Sequence, residues 1–229
     1  MCNRDFTLDE NVKLHMIFIH GIYSKGEGLD KISEYFEDVM DKENVNTESW
    51  DSIDDFHQKC GDIKLSSIKY GKLLISLGRI PFVRNLITHI IASRLQAYTY
   101  KYPNAKTVVF AHSFGTWALS QAIETLSHHF RIDYIVLFGS VIKRDFDWAK
   151  FPFIQNVFNF VGVKDKVVLM SMFWGTGWSG RYGFSKVSFN LTEIPRNWGH
   201  TDYSKNPQHF LDIVNDIYCK VKRRKNVTS

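Results

Sequence analysis

The sequence predicts an α/β fold, with a mostly parallel central sheet of about six strands flanked by helices. Three observations carry this expectation. The short apolar runs are continuous rather than alternating, as in strands buried on both faces. Helical patterns alternate with those runs, the order that builds a parallel sheet covered on both sides. Polar residues then gather just beyond the carboxyl ends of the runs, where open parallel sheets bind their ligands.

The elements follow in order. "KLHMIFIHG" is short, apolar and bounded by Gly21, and reads as a buried strand. From about Leu29 to Met40, Leu29, Ile32, Tyr35, Phe36 and Val39 recur at helical spacing. "DIKLSSIKYG" is a second strand. The segment after Pro81 sets Phe82, Leu86, Ile90 and Leu95 on one helical face and runs to about Tyr100. "KTVVFAHS" is the third strand, and "GTWALSQAIETLSHH" the helix behind it. "IDYIVLFGS", "NVFNFVGV" and "KVSFNLTEI" supply the fourth, fifth and sixth strands. "PQHFLDIVNDIYCKV" closes the chain as a helix, with Asn206 as its cap and Pro207 in its first turn.

The chain has 229 residues, 44% of them hydrophobic, enough for one sizeable core, and no linker divides it. A single domain over residues 1–229 is expected. No apolar stretch reaches the length of a membrane-spanning helix, and the acidic, polar start "MCNRDFTLDENVKLHM" lacks the core of a signal peptide. Cys2, Cys60 and Cys219 are scattered and odd in number, which points to a reducing, cytoplasmic setting. The formal net charge of +5 is concentrated in a tail over 220–229 with Lys220, Lys222, Arg223, Arg224 and Lys225. A frayed terminus with cations at a helix end accounts for it, so no nucleic-acid partner is expected. The nine histidines show no metal-ligand spacing, and no phosphate loop occurs; neither metal nor cofactor is expected.

Chemistry enters at "TVVFAHSFGTW", residues 107–117. A strand there runs directly into a helix, leaving Ser113 alone at the turn. So tight a turn forces its central residue into strained backbone geometry and requires small residues two positions away. Ala111 and Gly115 occupy those positions. The turn lifts the serine Oγ above the sheet and aims the helix N-terminus at it, where negative charge is stabilised. The competing reading is an ordinary serine N-cap.

A serine hydroxyl is a weak nucleophile unless a base, itself oriented by a third group, takes its proton. His200, in the loop "RNWGHTDYS" before the closing helix, is the candidate base. Asp165, where the fifth strand ends in "FVGVKDKVV", is the preferred acid, with Asp145 and Asp147 after the fourth strand as alternatives. His112 adjoins Ser113, so its side chain points away, and His128 and His129 belong to a helix end. An oxyanion would be held by the N–H of Phe114 and by that of Ile22 in "IHGIYS", where Gly21 lets the backbone approach and His20 orients or packs.

These stretches, "FIHGI", "FAHSFG", "NFVGVKDKVV" and "WGHTDY", resemble in order and kind the α/β-hydrolase superfamily, across nearly the whole chain. "LFGSVIKRDFDW" resembles a stretch of small, little-characterised bacterial and phage members. The resemblance implies a serine hydrolase with Ser113 as nucleophile, His200 as base, Asp165 as acid, and an oxyanion hole at Ile22 and Phe114. It implies a small-molecule acyl substrate; esters, thioesters, lactones and peptides all suit such a triad. Ala111 departs from the usual glycine, the leading hairpin is missing, and "RDFDWAKFPFIQN" suffices only for a minimal lid. Phe146, Trp148, Phe151, Phe153, Trp174 and Trp178 are read either as an apolar pocket or as packing. The alternative to an enzyme is a catalytically silent binding protein on the same fold.

Overall fold

The computed structural model describes residues 14–19, 63–68, 80–101, 105–126, 130–171 and 175–204. The helix read over 29–40, the closing helix, the basic tail, the three cysteines, and His20, Gly21, Ile22, His128, His129 and Trp174 lie outside them. Six strands form one sheet: β1 (Leu14–Ile19), β2 (Ile63–Ile68), β3 (Lys106–His112), β4 (Ile132–Phe138), β5 (Ile154–Gly162) and β6 (Leu191–Arg196). Their order is β2-β1-β3-β4-β5-β6, and every neighbouring pair is parallel. This is the α/β architecture expected, a parallel sheet flanked by helices, and among the described strands every pairing is parallel. The chain reverses its winding between β1 and β3, which makes their carboxyl ends the switch point where such sheets bind ligands.

One face of the sheet, with Ile17, Ile19, Val109, Ala111, Ile135, Leu137 and Val157, packs into a single apolar cluster with α1 (Pro81–Lys101) and α2 (Phe114–Thr125). The other face is aromatic: Phe18 stacks on Phe110 at 5.1 Å, and Phe138 on Phe160 at 5.2 Å. Burial on both faces explains why the strands read as unbroken apolar runs. Between β4 and β5 the chain forms only a 3-10 turn, Trp148–Lys150, so this connection inserts no extended lid.

Two local readings are corrected. On α1 the buried face is Val83, Ile87, Ile91 and Leu95, while Phe82 is 75% and Leu86 39% exposed. The helix carries two adjacent apolar stripes, and helical periodicity cannot choose between them; contact with α2 and the sheet does. The sixth strand begins at Leu191 rather than near Lys186. Before it the apolar side chains face out and the polar ones in: Val187 is 99% exposed, while Ser188 and Asn190 are buried. The Asn190 side-chain amide donates to the carbonyl of Ile154 at 3.0 Å, and the Asn190 backbone carbonyl accepts from Val157 N–H at 2.7 Å. Those polar bonds outweigh the exposure of two apolar side chains.

The fold also contains an acid-sensitive group. His15 on β1 is fully buried, its ring edge-on to Tyr98, and desolvation lowers its pKa from 6.5 to about 4. Above pH 6.5 both folded and unfolded chains carry it neutral. As pH falls from 6.5 towards 4 the unfolded chain takes up the proton first, so stability declines through this window, and the loss levels off below it. Denaturant unfolding against pH is expected to show this slope in the wild type and to lack it in His15→Gln.

Candidate active site

The candidate site is built at the carboxyl edge of the sheet from four consecutive strand ends. β3 is apolar and β-branched up to its last residues, and α2 starts at Phe114, so Ser113 alone makes the turn. It has φ 54° and ψ −129°, and it is the one non-glycine residue with positive φ among those described. Such a conformation costs about 1–3 kcal/mol and persists only where its surroundings enforce it. Here they do. Ser113 N–H donates to the Phe138 carbonyl at 3.0 Å. The Ser113 carbonyl accepts from Thr116 Oγ1 at 2.6 Å, and that hydroxyl in turn accepts from Val141 N–H at 3.0 Å. The elbow is thereby fastened to β4 and the loop after it. An ordinary N-cap serine has extended backbone and bonds the first-turn amides. Ser113 does neither, which removes the N-cap reading.

Asp165 follows β5, its N–H donating to the Gly162 carbonyl at 2.9 Å. It is 1% exposed. Its Oδ1 accepts from the N–H groups of Val167 and Val168, each at 3.0 Å, at the start of α3 (Val167–Met170). Its Oδ2 accepts from Nδ1 of His200 at 2.8 Å. Its carbonyl accepts from Arg181, on α4 (Ser179–Tyr182), at 2.8 Å. The carboxylate is locked from both ends. Because a carboxylate only accepts, the His200 proton sits on Nδ1, which leaves Nε2 as the basic nitrogen. The His200 side chain is 12% exposed, so the pair is largely shielded from water.

Gly139, the first residue after β4, makes room for this pair. Its φ is +51°, and a Cβ there would stand 2.7 Å from Cε1 and Nδ1 of His200 and 3.3 Å from Asp165 Oδ2. Real contacts of that kind do not occur, so glycine is required twice over. Gly139→Ala is expected to push the imidazole away from Asp165, with a stability loss of about 1–2 kcal/mol, which a thermal melt checks.

Of the sequence candidates, Asp165 and His200 are directly bonded beyond β5 and β6, and Ser113 stands at the end of β3 on the same sheet edge, with Phe114 opening α2 behind it. Asp147 instead caps Ala149 at 3.2 Å and pairs with Lys186 at 3.6 Å. Asp145 is exposed and lines a cavity of about 540 Å³ between α1, α2 and the loop after β4. Trp117 and Phe146 line the same cavity; Ser113, Asp165 and His200 do not. Most of the candidate aromatic pocket is packing: Trp148 is fully buried, in contact with Phe146 at 4.8 Å and Phe184 at 5.8 Å. Sequence reasoning missed Gly139 and Arg181. The Phe-Gly pair ending β4 was the available signal for the first, and nothing local marks the second.

Among the described residues no group of three histidine, cysteine or acidic side chains is disposed to hold a metal ion, and no helix is long and apolar enough to cross a membrane.

No protein-family model matches the chain, and no curated protein matches it. Solved structures do. The chain is similar to a predicted CIB-like hydrolase from Thermoplasma acidophilum, at 16% identity and a TM-score of 0.49, over 91% of this chain and 87% of that one. It is similar to the lin2722 gene product of Listeria innocua, at 11% identity and a TM-score of 0.46, over 88% and 92%. It is also similar to a cutinase-like protein from Cryptococcus sp., at 13% identity and a TM-score of 0.40, over 86% and 88%.

Proposed function

We propose that this chain is a serine hydrolase of the α/β-hydrolase superfamily that cleaves a carboxylic ester or related acyl bond through Ser113, His200 and Asp165. One observation carries the reading: the 2.8 Å bond between Asp165 Oδ2 and His200 Nδ1, at the sheet edge that bears the strained Ser113. A buried carboxylate holding one imidazole nitrogen, with the other left basic, is the arrangement a serine needs beside it.

In the first half-reaction His200 Nε2 takes the Ser113 proton as Oγ bonds to the substrate carbonyl carbon. The oxyanion is stabilised by the N–H of Phe114 at the positive end of α2, and by that of Ile22 after β1. Collapse of the tetrahedral adduct expels the alcohol, which receives its proton from His200, and leaves Ser113 acylated. Water, deprotonated by the same imidazole, attacks the acyl carbon and releases the acid. The minimal lid favours a small or extended, accessible ester. A thioester, lactone or amide passes through the same steps.

The reading includes a single domain, a cytoplasmic setting suggested by the cysteine pattern, and kinship with small bacterial and phage hydrolases suggested by "LFGSVIKRDFDW". A fluorophosphonate probe is expected to label Ser113 covalently, and an ester panel of graded acyl length to give turnover with a preference for short chains. Folded protein that is neither labelled nor active on any ester overturns the proposal in favour of a silent binding protein.

A further inference from the structure

We infer that His112 is a positioning residue for the reaction, holding the backbone of His200 against the strand that carries Ser113. The inference rests on the hydrolase reading above and deepens it. His112 ends β3 and is buried. Its side chain turns away from Ser113 and reaches the next loop: Nε2 lies 3.1 Å from the carbonyl oxygen of His200. A carbonyl only accepts, so Nε2 carries the proton and donates. The His112 ring also packs 4.6 Å from that of His200 and 5.0 Å from that of Tyr203, which is itself buried and stacked on Phe138 at 4.4 Å.

Two further anchors of this loop hold different things. Lys164 N–H donates to the Trp198 carbonyl at 3.1 Å, joining the loop to the turn that bears Asp165. Asp202 accepts from Gly199 N–H at 2.7 Å, bracing the loop against itself. The His112 bond joins the loop to the residue immediately before Ser113. It therefore governs the distance that proton transfer depends on, and it grips the same residue whose imidazole moves the proton. An error of about 1 Å in such a distance costs up to about 10²-fold in rate, while ground-state binding of the ester is untouched.

The test compares His112→Gln, whose side-chain amide extends far enough to donate where Nε2 does, with His112→Asn, which is polar but too short, and His112→Leu. Kinetics use p-nitrophenyl butyrate, with a thermal melt for each protein. Asn and Leu are expected to lose about 10- to 100-fold in kcat at unchanged KM, and Gln to recover most of it. Wild-type kcat in the Asn variant overturns the inference, as does a loss in Gln equal to that in Asn, or a loss confined to KM. Should Leu fail to fold, the Gln–Asn comparison decides alone. Wild-type protein without turnover or fluorophosphonate labelling overturns the hydrolase reading instead, a failure visible before any His112 variant is made.

Discussion

Ser113→Ala is expected to lower ester turnover by about 10⁴-fold or more and to abolish fluorophosphonate labelling, while the melting temperature moves by only a few degrees. Both halves come from the elbow. In the proposed reaction the hydroxyl is the atom that bonds to the acyl carbon, and losing the nucleophile of such a triad removes nearly all acceleration beyond that of the oxyanion donors. The fold does not depend on that hydroxyl, because it makes no capping bond to α2. What holds the turn is the Ser113 backbone, through Phe138 and Thr116, and alanine keeps it. Alanine also inherits the positive φ without adding to its strain. Turnover within tenfold of wild type in a folded Ser113→Ala protein would remove the serine from the mechanism.

Asp165→Asn is expected to reduce kcat by about 10⁴-fold, with a small loss of stability. The two carboxylate oxygens have separate duties. Oδ1 accepts the amides of Val167 and Val168, and the asparagine oxygen can go on accepting them. That leaves the amide nitrogen, a donor, facing Nδ1 of His200, where the carboxylate accepted a proton. Two donors cannot share one bond, so the imidazole moves its proton to Nε2 and loses the basic lone pair it would turn toward Ser113. Chemistry fails while α3 stays capped. Parallel measurement of kcat and of the thermal melt checks this, and a variant within tenfold of wild type would mean that another group orients His200.

The chain reads most clearly where a property is local. Unbroken apolar runs announce strands covered on both faces, and alternation with helices announces a parallel sheet, because a strand desolvated on both sides favours apolar residues at successive positions. The elbow is legible for the same reason: Ala111, Ser113 and Gly115 lie within five consecutive residues, and the steric demand they answer arises inside that span. Asp165 and His200 stood out as polar residues at strand ends.

Side-chain direction was far less legible. On α1 two apolar stripes satisfy the same periodicity, and the sheet and α2 selected Val83, Ile87 and Ile91 over Phe82 and Leu86. Before β6, Val187 and Phe189 face outward while Asn190 is buried by its hydrogen bonds with Ile154 and Val157. Of the aromatics read as either pocket or packing, Trp148 and Phe153 are buried packing, while Phe146 and Phe151 pack against the cluster that holds Trp148 and also line the cavity beside α1 and α2.

By itself, then, the order of residues determined which segments become strands, how they alternate with helices, and where the backbone must bend sharply enough to present a serine. Those outcomes depend on hydration and sterics within a few consecutive positions. Only the tertiary structure decided that Gly139 must lack a side chain so that His200 and Asp165 can meet, and that His112 grips the His200 loop. Those residues are separated by dozens of positions and become neighbours only when four parallel strands set their carboxyl ends side by side.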